Sequence, residues 1–457
     1  MKMLMDAVRR SLESAGLLKT QARLMCGVSG GSDSVALVHA LCEVRNDIPF
    51  TLFACHIQHG LRGENSAKDE QFVRTLCQQL DVPLIVEHAG LSGSMHDPGM
   101  ETKARERRRE IFLLQMEQLR LDALLVAHHR DDQAETVLMH LLRGSGMAGL
   151  CGMKPASSFG SGLLLRPFLD LPKEALKHAV SSFREDESNF EPLTPRNHLR
   201  LKILPQLEAL YPGAAAHIAQ AAQTISADEA FLTSETERLY QSALYAVPPL
   251  FLLNRKLLLA APEALARRVL RRWWQEGRSL AGISGAELSL SYSETEALFS
   301  LIGANPGASC NLPGGLAANA GQACLFLLRQ NGEPLVYAPS IAAHLQLEQE
   351  PAFGSLPQTP EEIILPPELL ALNPVFRPIQ PNDRIHPFGA PGSKPLRRFL
   401  TDRKIDLPLR SALTVLACGN DVWWIPSLCV SERLRLAEIP DGSVRFHGVH
   451  SFLSHRS

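Results

Sequence analysis

Val28-Ser29-Gly30-Gly31-Ser32-Asp33-Ser34 follows the apolar run Leu24-Met25-Cys26-Gly27 and precedes the apolar, helix-patterned Val35-Ala36-Leu37-Val38. A strand, a tight turn and a helix start are expected in that order. The adjacent Gly30 and Gly31 let the backbone turn sharply and bring its N–H groups close to a ligand. Ser29, Ser32 and Ser34 add hydroxyls, and a helix beginning near Asp33 presents unpaired N–H groups and partial positive charge. Phosphate is the guest that such a turn suits. The G-x-x-x-x-G-K-[ST] spacing of a Walker A loop is missing, and so is G-x-G-x-x-G. A plain Gly/Ser turn capping an ordinary helix uses the same residue types.

Outward from this turn, Phe50 to Ile57 is a short apolar run ending in His56-Ile57-Gln58-His59-Gly60-Leu61-Arg62. Further apolar runs at Pro83 to Val86 and Ala123 to Ala127 alternate with helical patterns over Asn65 to Leu80 and Glu101 to Leu119. Such alternation predicts a parallel α/β sheet covered on both faces. Ligands of these sheets lie beyond the carboxyl ends of the strands, where Ser29 to Ser34, His56 to Arg62 and His128 to Glu135 all fall. No third ligand completes a metal spacing around His56 and His59, so these histidines are expected to line a nucleotide pocket or to close the strand.

The second constellation is Ala127-His128-His129-Arg130-Asp131-Asp132-Gln133-Ala134-Glu135-Thr136. Asp131 or Asp132 is placed to cap the helix that starts there, and Asp132 and Glu135, three apart, share a face. An acidic first turn stabilises any helix. Beside a triphosphate, the same carboxylates hold Mg²⁺ or grip an incoming amine, since magnesium needs only one or two carboxylates alongside phosphate oxygens and water.

Together S-G-G-S-D-S, A-H-H-x-D-D-Q-A-E-T and H-x-x-H-G-L-R resemble the tRNA-isoleucine lysidine synthetases, a branch of the pyrophosphate-loop ATP-pyrophosphatases. Further matches follow in order: Leu142-Arg143-Gly144-Ser145-Gly146-Met147-Ala148-Gly149-Leu150, Arg166-Pro167-Phe168-Leu169, Glu185-Asp186-Glu187-Ser188-Asn189, and Arg196-Asn197-His198-Leu199-Arg200 ahead of Ile203-Leu204-Pro205. The chain departs from the family where Arg109 takes an aromatic place in Ala104-Arg105-Glu106-Arg107-Arg108-Arg109, and where Thr194 stands for an aromatic ahead of Arg196-Asn197.

The resemblance implies adenylation of the C2 oxygen of a wobble cytidine by ATP, followed by attack of the ε-amine of free L-lysine and loss of AMP. It implies a catalytic set of Asp33, His128, Asp132 and Glu135. ATP contacts are expected from Ser29, Gly30, Gly31, Ser32, Asp33, Ser34 and His56, and Mg²⁺ contacts from Asp33 and Asp132. Asp132 is the second metal contact, Glu135 orients the lysine amine, and Arg196 and Arg200 approach tRNA or the adenylate. Partners are a CAU-anticodon isoleucine tRNA and lysine, with no membrane. The oligomeric state, a homodimer included, stays open.

Composition restricts the alternatives. The chain has 457 residues and a net charge of -2, so any RNA surface must be local. Its nine cysteines show no C-x-x-C pair, against a disulfide framework or a cluster site and for a reducing cytoplasm. Sulfur-transferring relatives of the family typically carry such pairs. Met1 to Leu18 reads as an amphipathic helix, not a signal segment, and no apolar run is long enough to cross a bilayer.

The expected organisation is a pyrophosphate-loop catalytic domain over 1–212, a mainly helical tRNA-binding domain over 213–345, a Pro/Glu-rich linker over 346–372 and a small α+β tRNA-binding domain over 373–457. Helices are predicted over Ala214 to Leu239 and Pro262 to Gln275, the latter with Arg267, Arg268, Arg271 and Arg272 as a solvated face or an RNA-tracking one. Asn373 to Arg410 carries eight Lys or Arg against three Asp. Its Ser393 precedes a helix burying Leu396, Phe399 and Leu400, and Lys394, Arg397 and Arg398 are the expected RNA contacts. Gly419-Asn420-Asp421 reads as a hairpin turn. The competing functions are another pyrophosphate-loop enzyme, such as a tRNA thiolase or an amidotransferase-type synthetase, and a tRNA-binding protein that keeps the fold without turnover.

Overall fold

The computed structural model describes residues 1–18, 21–58, 64–91, 97, 99–184, 194–244, 251–283, 289–335 and 345–450. His59 to Arg62 and Glu185 to Asn189 lie outside the described residues. The chain forms two compact units, Met1–Phe231 and Leu232–Ser457.

In the first unit the elements run α1 (Lys2–Ser14), β1 (Arg23–Gly27), α2 (Ser32–Arg45), β2 (Thr51–Gln58), α3 (Glu64–Gln79), β3 (Leu84–His88), α4 (Met100–Gln118), β4 (Ala123–Leu125), α5 (Arg130–Leu142), α6 (Met147–Leu150), β5 (Ala156–Phe159), β6 (Gly162–Leu165) and α7 (Lys173–His178). The sheet order is β3-β2-β1-β4-β6-β5, parallel except for the antiparallel edge strand β5. Strand alternation sends Leu24 and Cys26 of β1 to one face, against α1, α2 and α7. Met25 goes to the other, against Phe112 and Met116 of α4. Both faces are thus apolar and covered, as a parallel sheet requires. Each fully buried Leu, Val or Phe contributes roughly 1.5–3 kcal/mol.

Beyond α7, α8 (Pro195–His198) leads through a π-helical turn, Leu199–Ile203, into α9 (Leu204–Leu210) and α10 (Ala214–Ala243). Pro205 follows that turn. A proline ring crowds the carbonyl four residues earlier in a tight α-turn, and the wider π-turn relieves it.

The second unit corrects the expected organisation. The 213–345 stretch holds not only helices but an antiparallel sheet, ordered Leu252–Asn254, Cys324–Arg329, Leu316–Ala320 and Ser309–Leu312. The 346–372 stretch is not a linker: Leu345–Pro351 and Glu362–Leu365 pair with either side of Val444–His450. Its Pro and Glu residues suggested a break, but the long-range partner that makes these segments strands is at the far end of the chain. The helix over Leu396–Asp402 buries Leu396, Phe399 and Leu400, and Thr414–Cys418 turns back into Asp421–Ile425 through Gly419 and Asn420, as expected.

Within this unit Asp406 is a fastener. Its Oδ1 accepts from the Gln322 N–H at 2.6 Å and its Oδ2 from those of Ala323 and Cys324 at 2.9 and 3.2 Å. It is 6% exposed, and Leu252, Cys324 and Phe326 share one core with Ile385, Leu396 and Phe399. Asp406→Ala strands three N–H donors away from water and is expected to destabilise the unit by about 3 kcal/mol. The four tryptophans, Trp273, Trp274, Trp423 and Trp424, are all buried in this unit, so urea unfolding followed by their fluorescence measures it. An unchanged midpoint would show that the loop does not depend on Asp406.

Candidate active site

The strand order reverses between β1 and β4, and the two sequence constellations emerge from the carboxyl ends of those neighbouring strands. This is the switch point where open α/β sheets hold ligands. After β1, Gly30 adopts φ +96°, a conformation that favours glycine, and its carbonyl accepts from the Arg184 N–H at 2.9 Å. Ser34 Oγ accepts from the Ser29 N–H at 3.1 Å and donates to the Gly31 carbonyl at 3.1 Å, closing the turn on the first residues of α2. His56, buried at the end of β2, donates from Nδ1 to the Val28 carbonyl at 2.9 Å. It holds the end of β1 from behind the turn, closing the strand.

At the start of α5 the cap is His129, not Asp131 or Asp132. The imidazole Nδ1 accepts from the Asp132 N–H at 3.4 Å, and Asp132 Oδ2 accepts from the His129 N–H at 3.1 Å. This reciprocal arrangement is a capping box with an imidazole in place of the usual hydroxyl. With Nδ1 accepting, the ring carries its hydrogen on Nε2, which lies 3.6 Å from Asp33 Oδ2 and 3.4 Å from Asp132 Oδ2. The ring thereby stands between the phosphate-type turn and the first turn of α5. Asp33 is 29% exposed at its side chain, and its Oδ1 accepts from Ser32 Oγ at 3.0 Å.

His128, next in line, is half-buried, and its Nδ1 accepts from Arg166 Nε at 3.3 Å. Burial pushes its pKa down to about 4; Asp132 opposes this, and Arg166, Arg196 and Arg108 add to it. The ring is therefore neutral near pH 7 and offers an Nε2–H donor.

Asp132 and Glu135 face two guanidinium groups. Arg196 Nε donates to Glu135 Oε2 at 2.8 Å, and Arg200 Nε and Nη2 reach Glu135 at 2.5 and 3.0 Å. Arg200 Nη2 also meets Asp132 Oδ1 at 2.8 Å, with Arg196 Nη2 at 3.4 Å. Burial raises the Asp132 carboxyl, but His129, His128, Arg196 and Arg200 outweigh it and hold the group below its ordinary value. Burial works against the Arg200 cation, yet Glu135, Asp132 and Asp33 raise its pKa. Glu135, 1% exposed with both oxygens taken, is closed to an amine here, because the arginines fill the place where that amine was expected.

Several contributors went unread in the sequence. Gln133 donates to the carbonyls of Cys151 and Met153 and accepts from the Met153 N–H, pinning the chain after α6. The departures have local causes too: Arg109 lies over the Phe159 ring at 5.6 Å, and Thr194 N-caps α8 through the Asn197 N–H.

The basic residues of the second unit fare unevenly. Arg267 pairs with Glu263 and Glu296, and Arg272 with Glu237 and Glu276, so much of that helix face is internally neutralised. Lys394 pairs with Asp402, while Arg397 and Arg398 are exposed. Among the described residues no group of three or more His, Cys, Asp or Glu is arranged to hold a metal, and no helix is long and apolar enough to cross a membrane.

A family model of the PP-loop domain matches residues 4–207, and one of the TilS substrate C-terminal domain matches residues 375–443. The tRNA(Ile)-lysidine synthase of Symbiobacterium thermophilum is 29% identical, covering 97% of this chain and 96% of that one. That of Geobacter sulfurreducens is 28% identical, covering 94% and 93%. That of Solibacter usitatus is 37% identical over 55% of this chain and 56% of its own. The chain belongs to the tRNA(Ile)-lysidine synthase family. Both halves of the alignment matter: the first family model covers the switch-point site, and the second covers the basic segment from Val375 onward.

Proposed function

We propose that the protein joins free L-lysine to C2 of the wobble cytidine in a CAU-anticodon isoleucine tRNA, using ATP and releasing AMP and pyrophosphate. The observation carrying this reading is near-full-length kinship with tRNA(Ile)-lysidine synthases in a chain whose Ser29 to Ser34 turn meets Asp132 and Glu135 at one switch point.

In the first step the C2 oxygen bonds to the α-phosphorus of ATP, the bond to the β-phosphate oxygen breaks, and pyrophosphate leaves. The backbone N–H groups of Gly30 to Ser34 and the amino end of α2 bind phosphate oxygens, with the hydroxyls of Ser29, Ser32 and Ser34 beside them. Of the two carboxylates proposed for Mg²⁺, Asp33 is partly exposed and open to it, whereas Asp132 would first have to release Arg196 and Arg200 from Oδ1; held there, the ion would supply positive charge against the phosphates. His128, kept neutral, donates a hydrogen bond rather than a charge.

In the second step the unprotonated lysine amine forms a C–N bond at C2, the C–O bond breaks, and AMP departs with the electron pair. Glu135 positions Arg196 and Arg200, whose Nη1 groups have no hydrogen-bond partner among the described residues and remain for adenylate or RNA. Arg397, Arg398 and Lys394 contact RNA backbone. With ATP and tRNA as substrates and nine free thiols, the working compartment is the cytoplasm.

Labelled lysine, ATP, Mg²⁺ and an unmodified transcript of that tRNA test the proposal. Label must enter RNA only when the wobble base is cytidine, with one AMP formed per lysine. AMP without label would move the nucleophile elsewhere, and no AMP at all would favour simple tRNA binding.

A further inference from the structure

Arg166 directly follows β6, and its backbone N–H donates to the Pro155 carbonyl at 2.8 Å, just ahead of β5. Its side chain reaches along the same segment. Nη1 donates to the Lys154 carbonyl at 2.8 Å and to Ser157 Oγ at 3.4 Å, while Nε donates to His128 Nδ1 at 3.3 Å. A guanidinium offers only donors and has no acceptor. The ring nitrogen that faces it therefore carries no hydrogen, since two N–H groups would otherwise point at each other. While this contact holds, the His128 ring keeps one tautomer, with its hydrogen on Nε2.

The segment that holds Arg166 is itself held from α5. Gln133 Nε2 donates to the Cys151 and Met153 carbonyls, each at 3.1 Å, and Gln133 Oε1 accepts from the Met153 N–H at 2.7 Å. The buried side-chain amide thus spends both hydrogens and its oxygen on this stretch of backbone. Gly152 lies in the middle of it at φ +63°, and a Cβ there would stand 2.6 Å from Gln133 Oε1. The next residue is Met153, and the one after it is Lys154, whose carbonyl receives Arg166. Contacts therefore run from Gln133 through Met153 and Lys154 to Arg166, and from Arg166 to His128, just ahead of α5. Rings that take part in chemistry are held in this way, by partners whose own side chains are locked.

We infer that Arg166 is a positioning residue, which fixes the orientation and the tautomer of the His128 ring, and that Gln133 holds Arg166 in place through the segment between them. The inference rests on the ligase reading and deepens it, because there His128 donates its Nε2 hydrogen during nucleotide chemistry. Arg166 acts only through the imidazole.

The test uses the intact protein and compares Arg166→Gln, whose amide can accept as well as donate, with Arg166→Lys, which again offers only donors. Circular dichroism checks folding. In protein carrying isotope-labelled histidine nitrogen, long-range proton–nitrogen NMR shows which ring nitrogen bears hydrogen, and His128→Gln identifies the signals of that ring. The wild type is expected to show hydrogen on Nε2 alone, Arg166→Gln to show both tautomers, and Arg166→Lys to return to Nε2. In turnover, Arg166→Gln should lower kcat for AMP formation by roughly 10²-fold while KM for ATP stays within about twofold, and Arg166→Lys should recover part of the loss. Gln133→Met leaves Arg166 in place but releases its segment, and is expected to shift the spectrum in the same direction as Arg166→Gln, less far. It decides the matter should Arg166→Gln fold poorly. Hydrogen on Nε2 alone in every folded variant overturns the inference, whatever the rates. The spectrum needs no turnover, so a wild-type protein that fails to ligate lysine would sink the ligase reading without deciding this one.

Discussion

Asp33→Asn is expected to lower AMP formation by on the order of 10³-fold while tRNA affinity stays within about twofold. The substitution keeps the shape of the side chain and an acceptor for Ser32 Oγ, and removes only the negative charge. That charge is what faces His129 Nε2 and what a magnesium–triphosphate complex needs at the first turn of α2. The helix itself does not depend on it, because the turn is closed by Ser29, Gly31 and Ser34. RNA affinity comes chiefly from phosphate contacts, which under the proposed function are those of Lys394, Arg397 and Arg398. Asp132→Asn is expected to act in the same direction with an added loss of stability, since Asp132 also completes the α5 cap and receives two arginines. The checks are AMP release under saturating ATP and filter binding of the same transcript. Normal AMP release from Asp33→Asn would remove this carboxylate from the phosphate chemistry, and lost tRNA binding would mean that nucleotide and RNA sites are not separable in this way.

The first unit was legible because its signals are local. A glycine pair, short continuous apolar runs and the helical patterns between them name their own structures within a few residues, and Ser29 to Ser34 and His128 to Glu135 meet because β1 and β4 are neighbours. The division of labour inside the site was less legible. His128 and His129 are indistinguishable as letters, and only the chain geometry at the N-cap decides which ring joins Asp33 to Asp132 and which one turns to Arg166. The ion pairs of Arg196 and Arg200 with Glu135 are not written in the sequence, because two strands and several helices separate the partners along the chain. The supposed linker failed for the same reason, since its strands are made by pairing with Val444–His450 and by no local propensity.

Arg200→Met should show what that unread contact is worth. Glu135 is 1% exposed and takes two of its three short hydrogen bonds from Arg200, so the variant leaves a buried carboxylate leaning on Arg196 alone. Removing one partner of a buried ion pair typically costs about 3–5 kcal/mol, and the retained Arg196 argues for about 3. For a unit of this size that is a fall of roughly 6–12 °C in Tm. The first unit holds no tryptophan, so the change belongs in the circular-dichroism transition and not in the fluorescence one. Adding Glu135→Gln to Arg200→Met should restore part of the loss, because the stranded charge goes with it. Acid provides an independent check on sign. Asp132 titrates below its ordinary value in the folded chain, so its contribution is present above the unfolded carboxyl range, about pH 4, and is lost as pH falls below it. Without Arg200 that depression shrinks, and the wild-type and variant stability curves should converge in acid and separate toward neutrality. Parallel curves at all pH values would mean that Arg200 contributes by packing and not by charge.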